Sequence, residues 1–259
     1  MSIFSKIMRP ADGSAWITGA SSGIGRALTL ELANRGWRVY ATARRIEPLE
    51  ALAAEHASIV PVAGDVTRLD DMHAAVARIT ADGPLALAIF NAGVYKPMRA
   101  QTFSAADAKQ TFDVNLTGVA NGLEPVLAHM IERQTGHVAL VASVAGYRGL
   151  PNAVAYSPTK AGLIAMAEAL AMDLVDLGVR ISVINPGFVE TDATSVNEFN
   201  MPMLLQPDDA ARRIADGLEK PGFEIRFPWA FAAVLRLIGA LPNRAYIWVV
   251  RKALGWDKV

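Results

Sequence analysis

Cysteine is absent from the chain. Disulfide staples and thiol nucleophiles are therefore excluded, though that absence alone does not fix a compartment. Net charge is missing as well: 25 basic residues balance 25 acidic ones over 259 positions. A zero balance argues against a broad electrostatic footprint for nucleic acid. No apolar run reaches the roughly 20 residues that a membrane-spanning helix needs. The nearest candidate, Trp229 to Val250, is interrupted by Arg236, Pro242, Asn243 and Arg244. Met1 to Gly13 holds Lys6, Arg9 and Asp12 without an apolar core, unlike a secretory leader. The four histidines, His56, His73, His129 and His137, lack metal-ligand spacing, so no metal is expected. A cytoplasmic protein is the expectation from these absences.

What is present is a large apolar fraction, 52% of the chain, enough for a sizeable core. Strand-like apolar runs fall at Ala15–Thr18, Arg38–Ala43, Ser58–Val62, Leu85–Asn91, His137–Ser143, Arg180–Asn185 and Phe223–Phe227. Several, such as Leu85 to Phe90, are almost continuously apolar, as in strands covered on both faces. Between them lie helical patterns at Gly23–Asn34, Pro48–Glu55, Leu69–Ala81, Ala105–Gln134, Ser157–Leu177 and Asp208–Glu219. The long span Ala105–Gln134 is expected to break near Pro125. Alternating β and α elements imply a Rossmann-like α/β fold: a doubly wound parallel sheet of about seven strands, flanked by helices. No linker marks a second domain, so residues 1–259 are expected to form one unit, with 228–259 as its helical extension.

The most informative stretch is Thr18-Gly19-Ala20-Ser21-Ser22-Gly23-Ile24-Gly25. It joins the first strand run to the first helix pattern. Such a junction cradles phosphate, because the first N–H groups of a helix are unpaired and its dipole is positive there. Alone, the motif is also compatible with a simple strand–helix turn. Other polar residues collect where strands end: Asp65, Asn91-Ala92-Gly93, Ser143 and Asn185-Pro186-Gly187. Ligands of doubly wound sheets bind at those ends. Tyr156 and Lys160 are one helical turn apart and so share a face.

In order and spacing, these motifs resemble the short-chain dehydrogenase/reductase family, of its compact kind. The matches are Thr18–Gly25, Asp65-Val66, Asn91-Ala92-Gly93, Asn115, Ser143, Tyr156-Ser157-Pro158-Thr159-Lys160 and Pro186-Gly187. One departure is Phe90, where the family often has asparagine. The resemblance implies an enzyme that passes a hydride between a nicotinamide and a carbinol carbon. It makes Tyr156 the general acid/base and Lys160 the stabiliser of its phenolate. Ser143 would hold the substrate oxygen, and Asn115 would support a proton relay with Lys160. The cofactor would rest on Gly19, Ser21, Ser22, Gly23, Ile24, Gly25, Arg44, Asp65, Val66, Asn91, Ala92, Gly93, Tyr156, Lys160, Pro186, Gly187, Val189 and Thr191.

The second strand bears on cofactor choice. An acidic residue at its end commonly binds the ribose hydroxyls of NAD. Here that end is Ala43, followed by Arg44 and Arg45. An arginine fork suits a 2′-phosphate, so NADP(H) is favoured over NAD(H). The family's other basic position, just before Gly23, is Ser22.

Met201, Met203, Leu204 and Leu205 resemble the family's substrate lid, and their apolarity points to a hydrophobic substrate. After Phe227, Pro228-Trp229 opens one further helix pattern through Phe231, Val234, Leu235, Leu237, Ile238 and Leu241, and Ala245, Tyr246, Trp248, Val249, Val250 and Leu254 give a second. Three readings of this segment stand: a hairpin packed over its own domain or cleft, a weak membrane-surface contact through Arg236, Arg244, Arg251 and Lys252, or a cap on the last strand's edge. Packing over the domain is preferred, since a bare hairpin would expose a large apolar patch. The expected partner is a small carbonyl or alcohol, with a homodimer ahead of a tetramer. Rival readings are an NAD-dependent alcohol dehydrogenase, a ketoacyl-carrier-protein reductase and an NADP(H)-binding redox sensor without turnover.

Overall fold

The computed structural model describes residues 7–192, 194 and 201–253. Within them seven parallel strands form one sheet: β1 (Ser14–Thr18), β2 (Val39–Ala43), β3 (Ile59–Ala63), β4 (Leu85–Phe90), β5 (Gly136–Val141), β6 (Val179–Pro186) and β7 (Glu224–Phe227). Their order is β3-β2-β1-β4-β5-β6-β7, so the chain starts at the centre and winds outward both ways. Every pairing is parallel. All strand C-termini therefore point to one edge, and the order reverses between β1 and β4.

Alternation along β1 fills two cores. Ala15 and Ile17 face one side with Leu28 and Leu32 of α1 (Gly23–Asn34), Leu49 of α2 (Glu47–Glu55) and Ile214 of α7 (Pro207–Leu218). Trp16 faces the other, with Met72 of α3 (Leu69–Ala81), Val126 of α5 (Gly118–Glu132) and Leu163 of α6 (Tyr156–Leu174). The Trp16 indole is fully buried and donates to Thr42 Oγ1 at 2.8 Å. The edge of Phe90 packs against it, ring centroids 5.7 Å apart. Phe90 thus fills the end of β4 as a core residue. It fits because residue 122 is glycine: a Cβ there would lie 2.4 Å from the Phe90 ring.

The expected break at Pro125 is not where the long helix divides. Pro125 lies buried inside α5. The division is a widened turn at Asp113–Thr117, after α4 (Ala105–Phe112). The buried Asn115 amide fixes that turn by bonding the backbone of Val94, a partner distant in sequence. A proline costs a helix one hydrogen bond, whereas here its ring occupies the interior. After β7 come α8 (Trp229–Gly239) and α9 (Asn243–Ala253), folded back as a hairpin. Leu254, included in the second helix pattern, lies outside the described residues.

Candidate active site

A cleft of about 1190 Å³ opens at the C-terminal edge of the sheet. One end is built by the turn between β1 and α1. Ser22 precedes α1 without capping it through its side chain, so the first-turn N–H groups stay available to an anion. Gly19 has φ +68°, and a Cβ on it would meet Ala92 Cα at 2.6 Å. A Cβ on Gly25 would lie 2.1 Å from Gly19 O. The backbone is thus too close here for any side chain. Asn91 donates to Thr18 O at 3.0 Å and Gly19 O at 3.1 Å. Thr18 Oγ1 accepts the N–H groups of Asn91 and Ala92, both at 3.1 Å. These bonds fasten the turn to the end of β4.

Ser21, Ser22, Ile24, Arg44, Asp65, Val66, Gly93, Pro186, Gly187, Val189 and Thr191 all line the same cleft. Arg44 is exposed just past β2 and has no ion-pair partner among the described residues. Asp65 Oδ1 accepts the Thr67 N–H at 3.0 Å and its hydroxyl at 2.8 Å, which shapes the turn after β3. Gly23 and Thr191 lie in contact range, since a Cβ on Gly23 would meet Thr191 Cγ2 at 2.9 Å.

The floor carries Tyr156, Lys160 and Ser143. Tyr156 opens α6, and Lys160 follows one turn later on the same face. Lys160 Nζ lies 5.5 Å from the Tyr156 ring centroid and donates to Val141 O at 2.8 Å. Burial draws the ammonium down to about 8. Burial also pushes the Tyr156 phenol up to about 12, opposed by its hydrogen bond with Ser143. Ser143 accepts the Ala145 N–H at 3.1 Å, which fixes its hydroxyl at the strand end.

Asn115 is brought near this group without lining the cleft. Its amide accepts from Val94 N at 2.8 Å and donates to Val94 O at 2.9 Å and Thr159 Oγ1 at 3.1 Å. A Cβ on Gly93 would stand 3.4 Å from Asn115 Oδ1 and 3.6 Å from Lys160 Nζ. Asn115 and Lys160 therefore back onto the same glycine.

Sequence reasoning missed Tyr95, whose ring meets Tyr156 edge-on at 5.0 Å. Nothing in its local sequence distinguishes it. Of the expected lid residues, Met201, Met203, Leu204 and Leu205 do not line the cleft, whereas their neighbour Pro202 does; Met203 and Leu204 are exposed, Leu205 pairs with Val189, and residues 193 and 195–200 lie outside the described residues. The apolar wall comes from Phe188 and from the hairpin, through Phe231, Val234, Leu235, Ile238, Val249 and Val250. Along α8 those positions recur at helical spacing, which puts them on one face. The hairpin thus covers the cleft and leaves Trp229, Leu237, Ile247 and Trp248 exposed outside. Among the described residues, no helix is long and apolar enough to cross a membrane.

The sequence model of the short chain dehydrogenases matches residues 14–200. The chain belongs to that family. The dehydrogenase is 40% identical to an uncharacterized oxidoreductase of Myxococcus xanthus over 235 residues, covering 89% of this chain and 93% of that one. Its fold superposes on a short chain dehydrogenase of Burkholderia cenocepacia in complex with NADP. The TM-score is 0.82 at 25% identity, over 94% of this chain and 99% of that one. A Burkholderia phymatum relative in complex with NAD gives 0.79 at 28% identity, over 89% and 94% of the two chains. The dehydrogenase is thus an oxidoreductase that uses a nicotinamide cofactor.

Proposed function

We propose that this dehydrogenase interconverts a carbonyl and a secondary alcohol on a small hydrophobic substrate, using NADP(H). The observation that carries this is one cleft with three distinct parts. A glycine turn cleared of side chains lies at one end, Tyr156, Lys160 and Ser143 on the floor, and an apolar wall beyond. The chain's residues fit a dinucleotide: the uncapped start of α1 suits a pyrophosphate, and Arg44, without an ion-pair partner among the described residues, suits a 2′-phosphate. When bound, the cofactor supplies or accepts the hydride.

The chain's own residues handle the oxygen and its proton. Ser143 donates a hydrogen bond to the carbonyl oxygen and holds it beside Tyr156. Tyr156 gives that oxygen its phenolic proton during reduction. A phenol held near 12 is fully protonated at neutral pH and so stands ready as an acid. Lys160 stays charged below about 8, and its ammonium steadies the phenolate left behind. Asn115 acts at one remove, by fixing the backbone of Val94 that adjoins Gly93 and Lys160. The apolar wall accepts the remainder of the substrate and keeps water from the floor.

The test is steady-state reduction of a panel of ketones and aldehydes by the purified protein, with NADPH and NADH in parallel. The expected result is cofactor oxidation with a higher kcat/KM for NADPH and for the more apolar substrates. No oxidation with any carbonyl, despite tight cofactor binding, would favour a sensor over an enzyme. A preference for NADH would overturn the cofactor reading.

A further inference from the structure

The loop from Ser143 to Tyr156 has a reacting group at each end, and three successive residues within it grip the C-terminal hairpin. Tyr147 donates its hydroxyl to Glu224 Oε1 at 2.5 Å. Glu224 also holds Arg236 of α8 at 3.0 Å, and that guanidinium lies 4.9 Å from the Tyr147 ring centroid. Arg148 donates to the carbonyls of Gly239 and Leu241, the latter at 2.7 Å, and to the Asn243 side chain. Its guanidinium also stacks on Tyr246, 4.3 Å from the ring centroid. Gly149 O accepts the Tyr246 hydroxyl at 2.7 Å.

The hairpin depends on these ties because it packs little into the core. Ala232 is the buried residue of α8 and Tyr246 that of α9. Few apolar atoms are removed from water at its root, so burial alone holds it weakly. One guanidinium does what packing does not: it satisfies carbonyls at the end of α8 and grips the start of α9. Arg148 itself does not line the cleft.

We propose that Arg148 is a positioning residue that fixes the hairpin as the far wall of the substrate pocket, and so sets the length of apolar chain the site accepts. The inference rests on the carbonyl reading above and assigns the substrate class as ketones bearing an aliphatic tail. Such a tail would run along Phe231, Leu235, Ile238 and Val250, the apolar side chains that the hairpin turns into the cleft.

The experiment compares wild type with Arg148→Ala on methyl ketones of increasing alkyl length, with NADPH. KM for the long members is expected to rise about tenfold, the scale of one lost charge-assisted hydrogen bond. KM for the shortest members, kcat and NADPH affinity should hold. A second arm needs no substrate: native-state trypsin cleavage after the exposed Arg244 should quicken about tenfold, as a loosened segment opens more often. Arg148→Lys, which keeps the charge and loses the fork, should recover part of both effects. Unchanged dependence on chain length, or unchanged cleavage, overturns the inference. If wild type reduces none of the ketones, the carbonyl reading fails separately and the trypsin arm alone decides whether Arg148 holds the hairpin. If Arg148→Ala does not fold, Tyr246→Phe severs the tie at Gly149 alone. It should shift long-chain KM the same way, and no shift overturns the inference.

Discussion

Replacing Tyr156 with phenylalanine removes a single oxygen from the cleft floor. The ring keeps its edge-on contact with Tyr95 at 5.0 Å and its place at the start of α6. The lost hydrogen bond with Ser143 is worth about 0.5 to 1.5 kcal/mol of stability. Catalysis loses far more, because the proton then has no donor at that position. General acids contribute 10²–10⁴-fold, which at 1.36 kcal/mol per decade is about 2.7 to 5.4 kcal/mol of barrier. The expected variant melts within a few degrees of wild type, binds NADPH with similar affinity and turns over at least about a hundredfold more slowly. The assay is NADPH oxidation with a ketone that wild type reduces, alongside a cofactor titration. Tyr95 has the other hydroxyl-bearing ring at this spot, so Tyr95→Phe serves as the control and should retain turnover. Near-wild-type turnover in folded Tyr156→Phe would refute the reasoning. Loss confined to Tyr95→Phe would move the role to that residue.

Three further outcomes follow from the same site. Arg44→Asp should lower kcat/KM for NADPH and raise it for NADH, because the carboxylate repels a 2′-phosphate and accepts from a 2′-hydroxyl; equal selectivity before and after would show that Arg44 does not read the phosphate. Burial draws Lys160 down to about 8, so its ammonium is present below that pH and lost above it. The kcat for reduction should be level in mildly acidic to neutral buffer and fall as pH rises through about 8; a rate that climbs across that range contradicts the role given to Lys160. Gly25→Ala puts a Cβ 2.1 Å from Gly19 O and 2.4 Å from Asn91 Nδ2. Relief requires shifting the turn, so thermal stability should fall by about 1 to 3 kcal/mol and NADPH affinity with it; calorimetry and a binding titration that both match wild type would show the turn to be pliant.

Much of the sheet was legible because its strands are covered on both faces. Leu85 to Phe90 reads as a continuous apolar run, and it forms β4 with the bounds Leu85–Phe90. The glycine turn was legible because its constraint is local: backbone meets backbone within a few residues. The division of the Ala105–Gln134 span was not, because Asn115 pairs with Val94, and no local pattern records that. Met201, Met203, Leu204 and Leu205, expected as a substrate lid, do not line the cleft for a related reason. Apolar composition marks residues that can cover a substrate, but which of them do depends on how the chain returns. Here the hairpin returns over the cleft and is clasped by Arg148, whose partners lie beyond position 238. A lone arginine in a loop carries no sign of that.

Phe90 and Gly122 constrain each other's size. A methyl group at residue 122 would collide with a ring held against Trp16. Any side chain at 122 therefore requires the Phe90 ring to shift away from Trp16. A smaller residue at 90 lifts that restriction, while a change at 122 made first meets the clash.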